Sequence, residues 1–161
     1  MVQRVVFLDI DGVLNRDHRY YEDVAIEPRL AARVARLVTK LDAQVVVSSD
    51  WRHHYTLPEL QAILNHFGIA SRRVLGTTVV PQWQGMGVRG REIEQWLQGH
   101  GQPVRLAILD DNHEGRFNMD VVREWFVKTN PRKGVLPANI QQAHALLTGG
   151  PVWKAVQSSA A

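Results

Sequence analysis

The stretch RVVFLDIDGVLN, Arg4 to Asn15, decides the fold. Val5 to Leu8 is a run of four apolar residues with β-branched and aromatic members, the pattern of a strand buried on both faces, and it ends abruptly in Asp9. Asp9 and Asp11 are two apart, so an extended backbone points both carboxyls the same way, and Gly12 lets the chain turn sharply after them. Such an ending is either a plain turn, since Asp and Gly commonly follow strands, or the reactive edge of a sheet. The rest of the chain decides between the two.

Outward from this strand the apolar period switches repeatedly. Pro28 to Leu41 carries Leu30, Val34, Leu37, Val38 and Leu41 on one helical face, and Val45 to Val47 is the next strand. Leu57 to Phe67 reads as a helix, with Pro58 in its first turn and Gly68 just past its end. Arg73 to Val80 is expected as a strand, Glu92 to Leu97 as helix, Val104 to Leu109 as an apolar strand interrupted only by Arg105, and Trp125 to Val127 as the last strand. Pro137 to Leu147 supplies a final helix. This alternation predicts an α/β fold: a three-layer sandwich with a mainly parallel central sheet, helices on both faces and right-handed crossovers. One domain is expected over residues 1–148, with 149–161 (GGPVWKAVQSSAA) as a frayed C-terminal tail.

Composition narrows the chemistry. The chain has 161 residues, 45% of them apolar and 22% charged, which suits one core rather than two. Cysteine is absent, so disulfides, thiolate nucleophiles, iron–sulfur clusters and cysteine zinc sites are excluded. The apolar run at the start is too short for a signal peptide or membrane span, and the expectation is a cytoplasmic protein without a membrane partner. Net charge is +3, with 15 Arg against 4 Lys, which suits an anionic partner, but the charges are scattered along the sequence and form no nucleic-acid arm. Gly85 to Gly90 spells GxGxxG; Pro81 to Gln84 separates it from the preceding strand, where a dinucleotide site needs a tight strand-to-helix turn. Trp51, Tyr55 and Trp83 are placed to stack bases or to pack.

In parallel sheets ligands bind beyond the carboxyl ends of the strands. The residues there are Asp9-Ile10-Asp11-Gly12, Ser48-Ser49-Asp50-Trp51-Arg52 and Asp110-Asp111-Asn112. Carboxylates gathered this closely repel one another and call for a divalent cation with oxygen ligands, for which magnesium is the natural candidate. One aspartate of the first pair can then attack phosphorus while the other handles the proton.

Four ordered segments resemble the motifs of the haloacid dehalogenase (HAD) superfamily of phosphatases and phosphotransferases: FLDIDGVLN from Phe7, VVVSSDWR from Val45, RGREIEQWL from Arg89 and LAILDDN from Leu106. Together with WFVKTNPRKGVL from Trp125, the chain most resembles the HAD domain named for Swiss Army Knife RNA repair proteins, over about residues 4–148. The resemblance implies a HAD-like (Rossmannoid) fold in which the segments between motifs are too short for a large cap domain, leaving a site open to bulky esters. It implies Asp9 as nucleophile and Asp11 as general acid/base, with the Asp11 backbone carbonyl also on Mg2+, and Ser48 on a phosphoryl oxygen. Asp110 and Asp111 complete the metal shell, and which of them touches the ion stays open. Arg89 takes the place of the third-motif lysine; Arg91, two residues on, reads as a solvated helix-start residue. Ser49 and Arg52 match an SSxxR pattern in which Arg52 grips a substrate phosphate or forms a helix-entry salt bridge, and Asn15 contacts substrate or caps its turn.

The expected function is a Mg-dependent phosphatase that hydrolyses phosphate monoesters through an aspartyl-phosphate, on nucleotides or nucleic-acid ends. Its rivals are phosphoryl transfer to an acceptor other than water and a noncatalytic module that binds phosphorylated ends.

Overall fold

A computed structural model of the chain describes residues 2–16, 25–79, 89–112 and 119–156, the side chains of 119–121 excepted. Trp83 and residues 85–88 of the glycine-rich run lie outside the described residues.

The element order is β1 (Gln3–Leu8), α1 (Pro28–Lys40), β2 (Gln44–Val47), α2 (Leu57–His66), β3 (Val74–Thr77), α3 (Arg89–His100), β4 (Val104–Asp110), β5 (Phe126–Lys128), α4 (Pro137–Gly149) and β6 (Val152–Trp153). Proline stands in the first turn of α1, α2 and α4, where its missing N–H costs nothing, and Thr56 and Glu59 close a capping box on α2. β3 starts one residue later than expected because Arg73 belongs to a 3₁₀ turn, Ser71–Arg73, and it ends at Thr77.

Five strands run parallel in the order β3-β2-β1-β4-β5. β1 sits between β2 and β4, so the connections diverge around it and open a crevice at its carboxyl end. Its alternating side chains sort the core into two layers. Val6 and Leu8 join Val34 and Val38 of α1, Leu60 and Leu64 of α2 and Leu147 of α4, while Val5 and Phe7 join Ile93 and Leu97 of α3. The architecture is therefore the three-layer, HAD-like sandwich, with no cap domain among the described residues.

One expectation fails at the C-terminus. Residues 149–161 are not simply a frayed tail, because Val152 and Trp153 pair antiparallel with Arg105 and Val104. β1 covers one edge of β4, so β5 and β6 share the other, β5 toward its carboxyl end and β6 at its amino end. Trp153 is buried in the α3-side layer, and Trp125 Nε1 donates to the Pro151 carbonyl at 2.9 Å. Burial of an indole outweighs the turn-forming Gly-Gly-Pro before it.

The parallel ladder also reaches one residue beyond its strands. Asp9 N donates to Leu109 O (3.0 Å), Ser48 N to Leu8 O (2.9 Å), Thr78 N to Val47 O (3.0 Å) and Thr129 N to Asp110 O (2.9 Å). All four polar residues are buried and held in one row by main-chain bonds. Among the described residues, no helix is long and apolar enough to cross a membrane.

Candidate active site

Asp9, Asp110 and Asp111 each offer a carboxylate oxygen, and these atoms lie within 4.8 Å of one another. Asp9 and Asp110 are buried and Asp111 is half-buried. Gly12 makes the approach possible: its φ is +76°, which side chains disfavour, and a Cβ there would collide with the Asp111 carboxylate.

Arg89, the first residue of α3, enters this group. Its Nη1 donates to Asp110 Oδ2 at 3.0 Å and lies 3.3 Å from Asp9 Oδ2, and its Nη2 reaches Asp50 Oδ1 at 3.1 Å. Burial alone would lower its pKa, but Asp9, Asp110 and Asp50 outweigh burial and raise it, so the guanidinium stays charged. Arg91 is exposed. One cation among three packed carboxyls leaves negative charge in excess. Burial first, then Asp110, pushes the Asp9 carboxyl well above the usual range against the pull of Arg89. Burial raises Asp110, and burial with repulsion from Asp110 raises Asp111. Hard oxygen donors whose ionised forms repel and are desolvated fit a divalent cation such as Mg2+.

Asp11 is not part of that group. Its Oδ1 accepts from Asn15 Nδ2 (2.9 Å) and from the Trp51 indole Nε1 (3.0 Å). Asn15 Oδ1 accepts in turn from Gly12 N (2.9 Å). The Asn15 side chain is buried and each end of its amide bonds within the turn, as the capping alternative expects. Trp51 packs against the core beside Tyr55, with ring centres 5.4 Å apart.

At the end of β2, Ser49 pulls the Asp9 pKa down slightly, and its Oγ accepts weakly from Trp51 N at 3.4 Å. Ser48 Oγ is buried with no hydrogen-bond partner among the described residues, a condition that costs about 1–3 kcal/mol until a partner arrives. Arg52 forms a buried salt bridge. Its Nη2 lies 2.9 Å from Glu92 Oε2, both side chains being buried, and its Nη1 donates to Thr78 Oγ1 and the Ser49 carbonyl, each at 3.3 Å. Its Nε is buried with no hydrogen-bond partner among the described residues. Burial raises the pKa of Glu92, and Arg52 partly offsets it.

The family model described as the HAD domain in Swiss Army Knife RNA repair proteins matches residues 5–140. The chain belongs to this family. None of the curated proteins compared with the chain matches it.

The matched span covers every site residue named above, and this HAD domain adds contacts that the order of residues does not give. Asn112 donates from its backbone N (2.9 Å) and Nδ2 (2.6 Å) to Asp110 Oδ1, and Thr129 Oγ1 donates to the Gly12 carbonyl (2.8 Å). Glu92 carried a usable signal, since it follows Arg89 by three residues on one face of α3. The indole bond to Asp11 carried none, because its two ends come from different elements.

Proposed function

We propose that this HAD domain is a magnesium-dependent phosphoric monoester hydrolase that removes phosphate from nucleotides or nucleic-acid ends through an aspartyl-phosphate on Asp9. The observation that carries the reading is Asp9 buried among Asp110, Asp111 and Arg89 at the mouth of the crevice.

Asp9, Asp111 and the backbone carbonyl of Asp11 would hold the cation. Asp110 already receives Arg89 on one oxygen and both Asn112 donors on the other, which favours Asp111 for direct contact and an orienting part for Asp110. When bound, magnesium would supply charge neutralisation at the phosphoryl oxygens. The Asp9 carboxylate attacks phosphorus, the bond to the ester oxygen breaks, and Asp11 protonates the departing oxygen. Asn15 and Trp51 occupy Asp11 Oδ1, so Oδ2 carries that proton. Water then attacks the phosphorus of the aspartyl-phosphate, Asp11 takes its proton, and phosphate leaves Asp9 free. Ser48 Oγ donates to a phosphoryl oxygen, gaining the partner it lacks. Arg89 orients Asp9 and favours its ionised form, against the burial that opposes it. A site without a cap among the described residues and a family described by RNA repair support a nucleic-acid end over a small metabolite.

Assays with p-nitrophenyl phosphate and with oligonucleotides phosphorylated at either end are expected to release phosphate only with magnesium. Asp9→Asn should lower kcat on the order of 10⁴-fold or more. Equal turnover by both proteins removes Asp9 as nucleophile. Phosphate appearing on an added nucleoside makes the protein a phosphotransferase, and retention of oligonucleotide without product makes it a binding module.

A further inference from the structure

Positive charge that is scattered in the sequence is gathered by the fold. On α1, Arg29, Arg33, Arg36 and Lys40 follow one another at helical spacing, while Leu30, Val34, Leu37 and Val38 go into the core. Two pockets flank this row and share Arg33. The first, of about 390 Å³, lies between Arg29, Arg33, Arg16, Arg132 and Lys133. The second, of about 410 Å³, lies between Arg33, Arg36, Lys40 and the α4 residues Gln141 and His144. Glu27, which pairs with Arg16 at 2.8 Å, is the single acid among the described residues lining either pocket.

The first pocket is built onto the catalytic loop. Arg132 N and Gly134 N bond back to Asn130, forming the turn that presents Arg132 and Lys133. Gly134 has φ +66°, and a side chain there would strike Leu30 of α1, so the turn lies directly on that helix. Val135 N donates to the Val13 carbonyl (2.8 Å) and Arg33 Nη1 to the Val135 carbonyl (2.8 Å), tying turn, helix and the Asp9–Asn15 loop together. Arg16 is five residues past Asp11, so the pocket begins within ~18 Å of the proposed proton donor.

Resting on the reading of the substrate given above, we infer that this basic row is a track for the backbone phosphates of a nucleic-acid strand whose phosphorylated end lies at Asp9. Guanidinium forks match phosphate oxygens in pairs, and no Phe, Tyr or Trp among the described residues lines either pocket to stack a base. Recognition is therefore of the backbone, independent of base sequence and sensitive to salt.

The test uses the full chain and a triple variant, Arg29→Ala with Arg36→Ala and Arg132→Ala, all at exposed positions outside the catalytic group. Affinity for a short labelled single-stranded RNA without a terminal phosphate is measured by anisotropy against salt. The variant is expected to bind about tenfold or more weakly, with a slope of log affinity on log salt shallower by ~2, near 0.7 for each lost contact. Its kcat/KM on phosphorylated RNA should fall similarly while that on p-nitrophenyl phosphate stays at the wild-type value. Unchanged RNA affinity and slope in the variant overturn the track while leaving the hydrolase reading intact. RNA binding that is lost in the variant, in a wild type that turns over neither substrate, keeps the track and overturns the hydrolase reading. Wild-type binding to phosphatidylserine vesicles but not to RNA overturns the track in favour of a membrane surface.

Discussion

Arg73 and Arg89 are both buried and both pair with aspartate, yet they sit at opposite ends of the sheet and do different things. Arg73, just before β3, sends Nη1 to Asp42 Oδ1 (2.8 Å) and to the Ala43 carbonyl (3.2 Å). The Asp42 side chain is 86% exposed and keeps its water, so the pair is balanced and closes the turn from α1 into β2. Arg89 meets two carboxylates that have lost their water, Asp9 and Asp110, and a third, Asp50, that is 74% exposed. Burial of an arginine is therefore no functional signal by itself. A surplus of buried carboxyls around it is one, because that surplus is unfavourable until a cation or substrate arrives.

The sharpest way to break this comparison is to remove the charge at each end. Arg89→Gln should lower kcat/KM on p-nitrophenyl phosphate about 10²–10³-fold, since the nucleophile loses the cation that orients it and favours its charged form. A variant with wild-type turnover would make Arg89 no more than a second Arg73.

The metal-free acid cluster offers a smaller, graded effect. The Asp9, Asp110 and Asp111 carboxyls are raised, so between the usual carboxylate range and their raised values the native state holds more protons than the unfolded chain. Their contribution to stability therefore falls as pH rises through that window. Magnesium binds the ionised form, so its stabilisation should grow over the same interval, reaching about 2.7 kcal/mol at a hundredfold excess over Kd. Melting curves with and without magnesium should diverge as pH rises from the usual carboxylate range; curves that stay parallel would sink the cation site.

Arg73→Ala gives the smallest effect on chemistry. It should cost about 1–2 kcal/mol in urea unfolding and leave kcat unchanged. A fall in kcat would erase the distinction between the two ends.

Much of this was legible because it is local. Apolar period, Pro at helix starts and acids at strand ends are written in neighbouring residues, and they led to the sheet and its polar edge. β6 was hidden because Trp153 finds its place only when β4 has a free edge to pair with. Arg52 was ambiguous for a similar reason: its partner Glu92 lies 40 positions away, on a helix that packs against it only in the fold. The bond from Asn15 to Asp11 spans only four residues and is local in the same way. The basic row of α1 has helical spacing too, but charges at that spacing mark any solvated helix face until the fold sets Arg132 and Lys133 beside them.

The main-chain bonds that run past Leu8, Val47 and Asp110 have a wider consequence. They mount the reagents on the hydrogen-bonded edge of the sheet, where exchanging a side chain changes the tool and leaves its holder standing. Such an edge is a rack on which evolution can hang new chemistry without rebuilding the wall behind it.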